Sequence, residues 1–140
     1  MRFGTRQLTV VTLAGIGGLH LAWGRGSSFP FPNRDALADS VIGSDAVPSA
    51  AACNAVAVAL FVASGLVADV PIGPRRLRAV GRAGVATVLA TRGFAGLLGR
   101  TDVLSPGSTS ARFRRLDQRY YSPLCLALAA GAATADRGAR

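Results

Sequence analysis

The chain has 140 residues, 50% of them hydrophobic, with a mean hydropathy of +0.36 and a net charge of +9. Every cation is one of 16 Arg, every acid is one of 7 Asp, and there are two Cys in all. These figures exclude a disordered segment, which cannot carry so much apolar content, and a disulfide-stapled secreted scaffold, which needs more cysteine; the length allows one domain over residues 1–140.

The first apolar run, Gln7 to Gly24, is 18 residues without a charge between Arg6 and Arg25. It reaches the threshold for a span, which needs roughly 20 apolar residues to cross about 30 Å of hydrocarbon. A cleaved signal peptide is the alternative, with Arg2 and Arg6 as its basic start, but the run is long for that and no A-x-A-like site precedes Trp23. Gly15, Gly17 and Gly18 lie inside the run, and His20 and Trp23 lie near its end. The connection that follows, Arg25 to Asp45, holds the cluster Phe29-Pro30-Phe31-Pro32. Connections this long are usually functional or partly structured.

The second run, Ala46 to Ala68, is 23 residues without a charge, with Cys53 and Asn54 about eight residues in. A short connection, Asp69 to Arg82, has Pro71, Gly73 and Pro74 to break a helix and gathers Arg75, Arg76, Arg78 and Arg82. The third run, Ala83 to Gly99, is interrupted by Arg92 and contains Gly93, Gly96 and Gly99. In the second long connection, Arg100 to Arg119, the spacing of Phe113, Leu116 and Tyr120 predicts an interfacial helix leading into a fourth span, 118–135, with a kink at Pro123.

None of these runs shows the charged outer face of a soluble surface helix. The expected fold is therefore all-α, a four-span antiparallel transmembrane bundle over 7–24, 46–68, 83–99 and 118–135, with the two longer connections on one face. A soluble bundle of short, Ala-rich helices is the alternative. The small residues within the runs would let membrane helices approach closely.

Arg is enriched in cytoplasmic loops. The dense group Arg75, Arg76, Arg78 and Arg82 shares its face with Arg2, Arg6, Arg137 and Arg140, which puts both termini on the cytoplasmic side of the cell membrane and the group against anionic lipid. A pI near 11.5 also fits a nucleic-acid binder, but the Arg residues mark the ends of apolar runs, so nucleic acid is not an expected partner. The expected partners are the lipid bilayer and, for the loops, another membrane protein or a second copy of the chain.

Arg92 is the exception, since an unpaired cation inside a span costs about 2.5–3.5 kcal/mol. It either snorkels roughly 10 Å to the headgroups or finds a partner. Counting depth along antiparallel helices brings His20, Trp23, Asn54, Arg92, Asp117, Tyr120 and Tyr121 into the half of the membrane nearest the long connections, with Cys53, Ser122 and Cys125 at similar depth. Asp117 is the natural counter-ion of Arg92. Three readings remain open: a structural lock in an accessory membrane protein, a site where Arg92 holds an anionic or lipid-like ligand, and an enzyme using His20 as base beside Asp117 and the tyrosines. One His, no Glu and no Cys-x-x-Cys pair give no metal cage, cofactor site or carboxylate dyad, so no catalytic residue is assigned. Cys53 and Cys125 could reach one another, although buried Cys more often acts as a small hydrophobe.

The run Phe113-Arg114-Arg115-Leu116-Asp117-Gln118-Arg119-Tyr120-Tyr121-Ser122-Pro123-Leu124-Cys125-Leu126 resembles the closing signature of the domain of unknown function 3995 family. His20-Leu21-Ala22-Trp23 and Thr91-Arg92-Gly93-Phe94 are similar to its other landmarks. The chain departs from the family after Trp23, where Arg25-Gly26-Ser27-Ser28 replaces a glycine- and aromatic-rich continuation. The resemblance implies a small four-span integral membrane protein of unestablished activity, and it carries over no catalytic residue.

Overall fold

The computed structural model describes residues 4–135. Arg2, Arg137 and Arg140, which entered the orientation argument, lie outside the described residues. The described chain is helical: α1 (Thr5–Gly24), α2 (Arg34–Leu37), a π turn (Ala38–Ile42), α3 (Ala50–Ala68), α4 (Arg75–Leu97), α5 (Thr101–Leu104), α6 (Ala111–Leu116), a second π turn (Asp117–Tyr121) and α7 (Ser122–Thr134).

Local chemistry sets the boundaries and moves several from where the apolar runs placed them. α3 starts at Ala50 rather than Ala46 because Pro48 precedes it and the Ser49 hydroxyl accepts the Ala52 N–H, 3.2 Å away. α4 starts directly after Pro74, so Arg75, Arg76, Arg78 and Arg82 form its opening turns and are not loop residues. The fourth helical stretch runs without a break from α6 through the second π turn into α7. Pro123 has no N–H for the carbonyl four residues back and crowds it. The chain widens there instead of breaking, and the Ser122 N–H reaches the Asp117 carbonyl to close a π turn.

Among the described residues, α3 is the one helix long and apolar enough to cross a membrane, with a mean hydropathy of 2.1. The others fall short for reasons visible in their residues: Gln7, His20 and four glycines dilute α1, α4 carries five Arg, and α7 has 13 residues.

α1 packs mainly on α3, and α4 mainly on α7; lesser α1–α7 and α3–α4 contacts join the two pairs. Leu13, Val67, Leu128 and Ala132 form one core cluster, and Trp23, Leu37 and Cys53 form another under the first long connection. Some of the small residues mediate this packing. A Cβ on Gly17 would stand 3.3 Å from the Ala57 carbonyl, and one on Gly93 would stand 3.0 Å from that of Ser122, whereas Gly15 and Gly18 face open space.

The two long connections clasp each other. The Gly43 carbonyl accepts the N–H groups of Thr109 and Ser110 at 2.9 and 3.0 Å. Ser108 donates to the Ile42 carbonyl at 2.6 Å, and Ser110 donates to the Asp39 carboxylate. Tyr121, at the end of the second π turn, donates its hydroxyl to the Ser40 carbonyl in the first at 3.0 Å.

Candidate functional site

Asp117 is the first residue of the second π turn and is 1% exposed. Burying a carboxylate requires compensation from partners, and four donors supply it. Arg92 reaches in from α4 with both terminal nitrogens, Nη2 to Oδ1 at 2.8 Å and Nη1 to Oδ2 at 3.3 Å. Ser122 adds a bond to Oδ1 at 3.0 Å, and Thr101, at the start of α5, donates to Oδ2. The bidentate fork is the strong form of this pairing. Arg92 therefore spends two of its five N–H groups on a counter-ion within the protein.

The remainder of Arg92, 28% exposed along its side chain, borders a cavity of about 520 Å³ between the two helix pairs. Its walls are largely aliphatic, with Leu13, Leu60, Leu89 and Leu128, and Phe31 closes it from the first connection. His20, Trp23, Tyr121 and Cys125 also line it. His20 donates Nδ1–H to the Ile16 carbonyl at 2.9 Å, Nε2 has no partner among the described residues, and the ring centroid lies 4.7 Å from that of Trp23. Trp23 donates Nε1–H to the Phe29 carbonyl at 2.7 Å.

The structure brings together His20, Trp23, Arg92, Asp117 and Tyr121, but not the whole group read from the sequence. Asn54 is exposed on α3, with its amide oxygen near Gly24 and away from the cavity. Tyr120 is 54% exposed and lies under the Arg119 guanidinium at 5.5 Å. Depth along a helix says nothing about azimuth, and both residues sit one step round from an inward neighbour. Cys53 and Cys125 are both free thiols; Cys53 lies 3.7 Å from the Pro48 carbonyl. No hydrogen bond joins His20 to Asp117 among the described residues, and both Asp117 oxygens are occupied, so the acid/base arrangement of the enzyme reading is not assembled.

A second polar group, at the opposite end of the bundle, was not anticipated. Arg82 is 6% exposed and donates to Asp69 Oδ1 at 2.8 Å; Arg78 Nε stands 3.0 Å from the same oxygen, close enough for an ion pair but out of line for a hydrogen bond. Arg6 donates to the Val67 and Ala68 carbonyls at the C-terminus of α3, where a cation suits the helix dipole. Partial desolvation pulls the Asp69 carboxyl upward, yet the Arg82 hydrogen bond and the charges of Arg78, Arg82 and Arg6 outweigh it and hold Asp69 below its ordinary value near 3.8. In the sequence Asp69 and Arg82 read as charges flanking a proline-broken connection, and their pairing follows only from α4 beginning at Arg75 and folding back beside α3. Ser64 also departs from expectation, bonding the Val10 carbonyl of α1 at 3.0 Å instead of its own helix.

Neither a curated protein nor a solved structure matches the chain. Residues 13–132, which include His20, Arg92, Asp117 and Tyr121, match the family described as protein of unknown function (DUF3995). Since that match covers most of the sequence, the chain belongs to this family.

Proposed function

We propose that the chain is a small multi-pass integral membrane protein of structural or accessory role, in which the Asp117-centred lock fastens α4 and α7 beside α1 and α3. The observation that carries this reading is the outward face of α3. Its apolar window is only 22% buried inside the molecule, whereas a soluble core helix of that hydropathy would be covered. Val58 and Val62 on α3, Val11 on α1 and Val88 and Phe94 on α4 all point outward at 58–68% exposure. Apolar surface of this extent marks an interface with lipid or protein.

The four spans of this proposal are α1, α3, α4 and the stretch from α6 through α7. α4, at 23 residues, is about 35 Å long, enough to cross. Its two internal cations do not cross as bare charges, since Arg82 meets Asp69 and Arg92 meets Asp117. Arg75, Arg76 and Arg78 then lie at the cytoplasmic headgroups with both termini on the same side. An anionic ligand held by Arg92 is disfavoured, because Asp117 already neutralises the guanidinium. The test is a carbonate wash of membranes from expressing cells, with a fluorescent-protein fusion at the C-terminus. Retention in the pellet with a fluorescent fusion is expected; release into the supernatant would refute the membrane reading, and a dark fusion would reverse the orientation.

A further inference from the structure

The cavity between the helix pairs is more than a gap beside the lock, because its chemistry changes along its length. From Leu13 to Trp23 it follows ten residues of α1, about 15 Å. One end is aliphatic, walled by Leu13, Leu89 and Leu128. The other gathers the rings of Trp23, Phe31 and Tyr121 beside His20 and Arg92. Its volume of about 520 Å³ falls within the ~300–1,000 Å³ usual for small-molecule sites.

The polar end also has a specific hydrogen-bonding state. Arg92 has three N–H groups beyond the two on Asp117, so it offers donors. Asp117 cancels its charge, so an anionic head would enter as an uncompensated charge, which a low-dielectric site penalises. Trp23 has its N–H committed to Phe29 and Tyr121 its hydroxyl hydrogen to Ser40, so each offers the cavity an aromatic ring and no free donor. Aromatic rings lining a site favour a planar aromatic or conjugated ring in offset or edge-on contact.

We infer that this cavity binds a neutral lipid with a planar carbonyl-bearing ring as its head, of the quinone class, whose carbonyl oxygen accepts from Arg92 and whose apolar chain lies along Leu13, Leu89 and Leu128. This concerns binding alone and invokes no electron transfer. It rests on the membrane-protein reading only for the route by which the ligand arrives, so binding measured in detergent and retention after the carbonate wash fail separately.

Trp23 is the chain's single tryptophan and lines the cavity, so its emission reports occupancy. The experiment titrates the full-length protein in detergent with a decyl-substituted benzoquinone, in parallel with palmitate, which has a comparable chain and an anionic head. Saturable quenching by the quinone is expected, together with a rise in melting temperature that palmitate does not reproduce. Arg92→Gln should weaken quinone binding about tenfold or more. Leu89→Phe, which fills the aliphatic end and leaves the lock untouched, should weaken it as well, which keeps the test decisive if Arg92→Gln does not fold. Quenching that stays linear and is the same in wild type and Leu89→Phe would overturn the proposal, as would palmitate binding more tightly than the quinone.

Discussion

Arg92 and Gly96 lie one turn apart on α4, and the side chain that Gly96 lacks is the space into which the partner of Arg92 fits. A Cβ at position 96 would come within 2.8 Å of both Arg92 Nη1 and Asp117 Oδ2 and would collide with the Ser122 hydroxyl. Gly96→Ala is therefore expected to destabilise the protein by about 1–3 kcal/mol through overpacking. Gly84→Ala on the same helix, where a Cβ meets nothing within 4 Å, should be neutral or stabilising by up to about 1 kcal/mol. Thermal melts of the two variants in detergent check this; equal effects would contradict the close approach.

The lock itself is tested by a double-mutant cycle. Arg92→Ala strands the buried Asp117 carboxylate and should cost about 3–5 kcal/mol, whereas Asp117→Ala leaves a guanidinium that is partly exposed and should cost less. The double variant should cost less than the sum of the two by more than about 1 kcal/mol. Additive losses would show that the two residues do not act as a pair.

The contact between the π turns makes a paired prediction. Tyr121→Phe removes the bond to the Ser40 carbonyl and should lower stability by about 1 kcal/mol. Ser40→Ala removes a buried hydroxyl that has no hydrogen-bond partner among the described residues, and should raise stability by a similar amount. Both shifts are readable as melting temperatures, and a loss in Ser40→Ala would mean that its hydroxyl is bonded after all.

Asp69 gives the molecule an acid-sensitive joint. Its folded value lies below the ordinary 3.8, so the stabilisation is fully present above that value and is lost as the pH falls through the lowered one. Asp69→Asn tolerates the left-handed backbone at φ 59 while removing the charge. The wild type should therefore lose melting temperature more steeply than Asp69→Asn below about pH 4. Salt should narrow the gap, because the carboxylate is partly exposed. Parallel curves would rule out a role for this carboxylate.

The sequence made Arg92 and Asp117 legible because a charge inside an apolar run is rare and needs an answer, and a count along the helices places the answer at the right height. Height was all that the count could give. Buried Cys53 and Ala57 mark the inner face of α3, and Asn54, one residue on from Cys53, is rotated out of it. Arg82 was hidden for the opposite reason: at the end of an apolar run it reads as a flanking charge until the turn through Pro74 shows that α4 has already begun. The π turn was foreshadowed by Pro123, but whether a helix breaks or widens at a proline depends on what holds the carbonyls around it, and here those partners come from distant segments.

The second π turn has Asp117 at its first position and Tyr121 at its last, one bound into the helix interior and the other to the opposite connection. Five residues of a single coil thus link the outer surface to the bundle's interior. A ligand or partner that reached the clasped connections from outside would therefore touch a segment only four residues from the buried carboxylate, and Tyr121 in that segment also forms part of the cavity wall.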